Sequence, residues 1–87
     1  MTGSDVKALI TTHLVDNFIF DHGRVLDPDA SLMEEGILDS VGVFELISWL
    51  EKTFGISVGD QDLTPENLDS VNRLTGFVTS KREKAAA

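Results

Sequence analysis

The sequence predicts an all-α fold: a small four-helix bundle of three main helices and one short one, with a long loop between the first two. Three observations carry this. Apolar residues recur at helical spacing in three stretches, within 6–18, 43–54 and 71–78. Ser, Thr, Asp or Gly residues stand at the ends of those stretches, where helices begin and stop. The alternating run Ile56-Ser57-Val58-Gly59 has no second run to pair with, so it reads as extended loop that tucks two side chains under the helices.

In the first helix Val6, Leu9, Ile10, Leu14 and Phe18 form the apolar face, Thr2 or Ser4 supplies the cap, and the end falls near Phe18 to Phe20. His13 lies beside that face and reads as a partly covered surface residue with no assigned chemistry. Residues 21–39 contain the turn pairs His22-Gly23 and Asp27-Pro28, so the helix does not continue through them. A connection of this length needs anchors. Val25, Leu26, Leu32, Ile37 and Leu38 are expected to enter the core, and Ser31 to Glu34 has the form of a capping box for one helical turn stopped by Gly36.

The second helix is expected from Ser40 to Phe54, with Gly55 as its breaker. Asp39 and Ser40 are both cap-forming types. At 100° per residue Val43, Leu46, Ile47, Leu50 and Phe54 share one stripe, while Val41, Phe44, Glu45, Ser48 and Lys52 lie round the other side. Val41 and Phe44 are thus apolar residues off the core face, beside a serine at the positive end of a helix, where an attached anion is favoured. With Glu45 they are the candidate partner surface. Gly42 inside the first turn costs about 1 kcal/mol in helix propensity relative to Ala. Either close approach by a bound group or partner, or tight packing against the preceding loop, would account for it.

Thr64-Pro65 reads as a cap followed by proline at the first helical position, Glu66 to Leu68 as a short third helix, and Asp69-Ser70 as the cap of the fourth. Val71, Leu74 and Val78 are expected to face inward, with Phe77 on the flank. The chain is read as one domain, 1–87, ordered over about 4–80, with residues 81–87 a frayed tail.

Fifteen acidic residues against seven basic ones give a net charge of −8, which repels nucleic acid and anionic membranes and favours basic protein surfaces. No apolar run approaches the ~20 residues that span a bilayer, so no membrane insertion is expected and the cytosol is the expected location. Without cysteine there is no disulfide, thiolate zinc site or thiol nucleophile.

Two chemistries fail on detail. Asp27, Asp29, Ser31 and Asp60, Asp62, Thr64 are spaced like calcium-loop ligands, but the sixth position is Leu32 or Pro65 instead of Gly and the twelfth is Leu38 or Val71 instead of Glu. No metal is assigned. A hydrolase triad from Ser40, Asp39 and His13 or His22 would need Gly before the serine, where Leu38 stands two positions ahead, and a sheet that this chain does not offer. No catalytic residue is assigned.

The stretch GILDSVGVFEL, residues 36–46, resembles the acyl carrier protein superfamily, in which a serine of an Asp-Ser motif at the start of the second helix bears 4′-phosphopantetheine. The likeness runs from Ser31 to Val78. It implies that Ser40 carries the group, transferred from coenzyme A by a phosphopantetheinyl transferase, with Asp39 supporting as a charged neighbour. It further implies that the arm's thiol holds an acyl or aminoacyl thioester, loaded by an adenylating ligase and delivered to a downstream acyl-transfer enzyme, and that the protein itself is not an enzyme. Gly42, two residues after the serine, is closer to D-alanyl and other stand-alone aminoacyl carriers than to the fatty-acid type. Lys52 stands where fatty-acid carriers tend to keep an acid, implying a different partner set. A discrete protein is expected from a sequence beginning at Met1 and ending at Ala87, and a monomer is expected as its state. The alternative is an unmodified acidic interaction module that uses Ser40 only as a cap and binds through Val41 and Phe44.

Overall fold

The computed structural model describes residues 2–19 and 26–86. The expectations for Phe20, the His22-Gly23 turn and Val25 lie outside the described residues. Among those described there are four α-helices, α1 (Gly3–Phe18), α2 (Ser40–Phe54), α3 (Pro65–Leu68) and α4 (Val71–Ala86), one 3₁₀ turn at Asp60–Asp62, and no strand. The expected all-α bundle of three long helices and a short one is what the chain forms.

Helix α1 starts at a reciprocal cap. The Asp5 N–H donates to Thr2 Oγ1 at 3.2 Å and the Thr2 N–H donates to Asp5 Oδ2 at 3.0 Å, which satisfies two donors the helix cannot satisfy itself. Those bonds from Thr2 hold the Asp5 carboxyl below its ordinary pKa. Thr2 is therefore the cap and Ser4 lies inside the first turn. Val6, Ile10 and Leu14 are buried, but Leu9, expected on the same face, is 39% exposed. The buried stripe is centred on Ile10, and Leu9 lies about 100° round the helix from that centre.

Helix α4 packs against α1, α3 and α2, most closely against α1, with Val71, Leu74 and Val78 fully enclosed and Phe77 also buried. The Ser70 hydroxyl caps it by accepting the Arg73 N–H at 3.0 Å. It remains helical to Ala86, into the segment expected to fray. No helix among the described residues is long and apolar enough to cross a membrane.

Leu46, Ile47, Leu50 and Phe54 of α2 are buried, Val43 packs against the core, and Gly55 ends the helix at φ +66°, its N–H donating to Glu51 O at 3.0 Å. A side chain would be strained in that left-handed conformation. The following segment is extended, as expected, with Ile56 buried. Its Val58 N–H donates to Glu51 Oε2 at 3.1 Å. The 3₁₀ turn that comes next was not foreseen. Asp62 closes it by accepting the Gly59 N–H at 3.0 Å and pairs with Lys81 of α4 at 2.8 Å. Lys81, and then the Gly59 N–H, hold the Asp62 carboxyl below its ordinary pKa. Thr64 precedes α3 and Pro65 opens it as expected, but the Thr64 hydroxyl makes no cap bond, and its carbonyl accepts from Asn67 and Leu68 instead.

The long loop is held at two places. Asn72 N–H donates to Pro28 O at 3.0 Å and Asn72 Nδ2 to Asp29 Oδ1 at 2.6 Å. Further along, the Ser31 hydroxyl both accepts from Glu34 N–H, as the capping-box form predicts, and donates to Asp69 Oδ2 at 2.6 Å. Gly36 ends this turn at φ +72°. Leu32, Ile37 and Leu38 then sink into the core, and Leu26 packs against it.

Candidate functional site

Asp39, rather than Ser40, caps α2: its Oδ1 accepts the Gly42 N–H at 2.7 Å. Its carbonyl accepts from Val43, closing the first turn. Ser40 is the first helical residue and is exposed, and among the described residues its hydroxyl enters no hydrogen bond. The cap thus consumes one first-turn donor and leaves the N–H groups of Ser40 and Val41 without a partner inside the helix, at its positive end. An acidic neighbour, a free hydroxyl and unspent N–H groups together suit the attachment of a phosphate group to Ser40 Oγ.

Val41 and Phe44 are 78% and 66% exposed, and Glu45 is exposed beside them. Ser40 and Phe44 share a cleft of about 350 Å³ with Val43, Leu38, Leu68 and Met33, the last 49% exposed at its lip. The lining is chiefly apolar; Thr64 and Asp69 contribute polar atoms from the α3 side. Sequence reading placed Ser40, Val41 and Phe44 on one exposed face but did not find the cleft, because its other wall comes from α3 and the 31–36 turn.

Gly42 is buried, and a Cβ there would stand 3.0 Å from Phe18 Cε1 and 3.2 Å from Asp39 Oδ1. Packing accounts for this glycine, against Phe18 of α1 first and against Asp39 at the end of the preceding loop as well. Trp49 lies on the same edge of α2, about 20° from Gly42 on the helix wheel. Its ring stacks on His13 of α1, centroids 4.0 Å apart, and meets Phe54 edge-on at 5.6 Å. His13 therefore belongs to the α1–α2 contact. Its Nδ1 faces Asn17 Nδ2 at 3.2 Å, and its Nε2 is buried without a hydrogen-bond partner. That placement gives it no bond to Ser40, and Asp39 is occupied as a cap, so a triad through His13 is not assembled; His22 lies outside the described residues.

The other carboxylates divide by role. Glu51 is partly buried and holds Val58. Asp29 and Ser31 are turned to Asn72 and Asp69, and Asp62 to Lys81, so these side chains of the calcium-like spacing are engaged by other residues of the chain.

The family model described as the phosphopantetheine attachment site matches residues 20–78, which include Asp39, Ser40 and both walls of the cleft. The chain is 34% identical over 74 residues to the D-alanyl carrier protein of Streptococcus suis (strain 05ZYH33), covering 85% of this chain and 91% of that one. It is 32% identical over 78 residues to the D-alanyl carrier protein of Streptococcus sanguinis (strain SK36), covering 90% and 96%. It is also 26% identical over 73 residues to the probable acyl carrier protein PigG of Serratia sp. (strain ATCC 39006), covering 84% of each.

Proposed function

This chain belongs to the phosphopantetheine-attachment family of carrier proteins, and from that premise we propose that Ser40 is its attachment residue. The observation that carries the proposal is the free, exposed hydroxyl at the start of α2, next to the Asp39 cap. In the transfer, Ser40 Oγ attacks the phosphorus of coenzyme A that bears the pantetheine. An Oγ–P bond forms, the P–O bond to the nucleotide breaks, adenosine 3′,5′-bisphosphate leaves, and the serine proton passes to the transferase. Asp39 keeps the helix start in place and offers its outer carboxylate oxygen to a basic partner. Covalent 4′-phosphopantetheine supplies the thiol on which a carrier holds an acyl group as a thioester.

For cargo we favour an aminoacyl group over a fatty one, supported by the likeness to D-alanyl carriers over most of both chains. An ATP-dependent adenylating ligase loads it, and an acyl-transfer enzyme receives it. The 1–87 chain acts as a monomeric, non-catalytic domain in the cytosol, presenting Val41, Phe44 and Glu45 to these partners.

The test is intact-mass measurement after incubation with coenzyme A and a broad-specificity transferase. One phosphopantetheine should be added to the wild type and none to Ser40→Ala. No addition across several transferases would favour an unmodified module that binds through Val41 and Phe44. Once loaded with phosphopantetheine, a protein that accepts only long fatty chains would overturn the aminoacyl assignment.

A further inference from the structure

Asp69 sits at the junction of α3 and α4, where Asp69-Ser70 reads as a double cap, yet only Ser70 caps. The Asp69 carboxylate is turned away, to the long loop. Its Oδ2 accepts the Ser31 hydroxyl at 2.6 Å, its Oδ1 accepts the Met33 N–H at 3.0 Å, and its carbonyl accepts the Leu32 N–H at 2.9 Å. Leu32 O in turn accepts from Ile37 and Leu38, the two residues ahead of the Asp39 cap. One residue thus ties three consecutive loop residues to α3, two through its carboxylate and Leu32 through its carbonyl, and its own N–H closes the last turn of α3 on Pro65 O. Met33, Asp69 and Ser40 border the same cleft.

The core alone does not explain this arrangement. Leu32, Ile37 and Leu38 are buried and hold the loop through apolar contacts, and Asn72 secures its earlier part at Pro28 and Asp29. What those anchors leave unfixed is the exposed turn that carries Met33 over the cleft. A carboxylate accepts two directed bonds at once, which an amide oxygen or a hydroxyl at this position cannot reproduce in full.

We propose that Asp69 is a positioning residue for group transfer at Ser40, a latch that holds Met33 and the 31–36 turn so that the cleft beside the serine keeps its shape. This rests on the assignment of Ser40 above. The latch acts through the loop and touches no reacting atom.

The experiment uses the full chain with coenzyme A and a transferase, following intact mass over time for the wild type, Ser31→Ala, Asp69→Asn, Asn72→Ala and Ser40→Ala. Amide exchange is read in parallel by NMR. Ser31→Ala and Asp69→Asn should remain helical, lower kcat by ~5-fold or more without changing KM for coenzyme A, and expose the Met33 amide to exchange while Gly42 stays protected. Asn72→Ala removes the side-chain half of the other loop tie, the bond to Asp29, and serves as the stability control. Wild-type rates in both folded latch variants would overturn the proposal. So would an unchanged Met33 amide in Asp69→Asn, an equal slowing in Asn72→Ala, or an effect confined to KM for the carrier. Failure of the Ser40 assignment shows separately, as no addition to the wild type or as addition to Ser40→Ala.

Discussion

His13 of α1 lies flat against Trp49 of α2, ring centroids 4.0 Å apart and 13° from parallel, with the Phe18 ring centroid 5.9 Å from the same imidazole and its plane inclined by 65°. Burial holds the His13 pKa below its ordinary value, against the opposing pull of Glu45 and Asp16. The unfolded chain therefore binds the proton more readily than the folded one between the ordinary value of about 6.5 and the lower folded value. This contribution to stability is complete above that window and is lost as pH falls through it. Denaturation followed by the fluorescence of Trp49, the sole tryptophan, should show a pH slope there that His13→Phe reduces. Equal slopes in the two proteins would mean that His13 is not buried enough to matter.

Leu50 and Phe44 separate scaffold from surface on one helix. Leu50 is fully buried and Phe44 is 66% exposed. Leu50→Ala should cost about 2–5 kcal/mol, much of what so small a domain has. Phe44→Ala should move Tm little while slowing transferase modification several-fold, as expected of an exposed aromatic anchor. Equal destabilisation, with normal modification of the folded Phe44→Ala chain, would remove Phe44 from the partner surface.

Gly42→Ala sets propensity against space. Alanine is the better helix former by about 1 kcal/mol, but its Cβ would press on Phe18 at 3.0 Å and on the capping Asp39 at 3.2 Å. Phe18 also has the His13 ring beside it, which restricts its retreat. We expect Tm to fall. A higher Tm would show that Phe18 moves freely.

Charge steering is testable at Glu45. Modification and loading rates should decline from low to physiological salt, where exposed charges more than ~8 Å apart are screened, and the change should lie mainly in association. Glu45→Gln should flatten that dependence. An unaltered salt slope would assign the steering to other carboxylates.

Much of this was legible in the residues. The α2 stripe from Val43 to Phe54 has a single centre, so the helix wheel alone put Leu46 and Leu50 inside and Val41 and Phe44 outside. On α1 the apolar set is broader than the buried strip, and nothing in the spacing says which edge is surplus, so Leu9 was misplaced. The wheel also hid the second contact edge of α2. Gly42 and Trp49 share it, and a glycine in a first turn on the same edge as a tryptophan is the signal that a neighbouring helix comes close. Asp69 was illegible for a different reason. Two adjacent cap-forming residues do not reveal which one caps, and the partner of the other lies 38 positions away. The 60–62 turn is three polar residues with no periodicity to detect.

That separation of 38 positions also sets an order of assembly during synthesis. The Asp39 cap spans three residues and closes as soon as the first turn of α2 exists, whereas the bond from Ser31 must wait for Asp69. Chains emerge N-terminus first. A nascent chain with α2 outside the ribosome and residues 65–72 still within it would hold every partner of the Asp39 cap, yet its 31–36 turn would have nothing to grip. The acceptor is thus made early and its surroundings late, and a transferase that senses the finished cleft would pass over chains whose synthesis is incomplete.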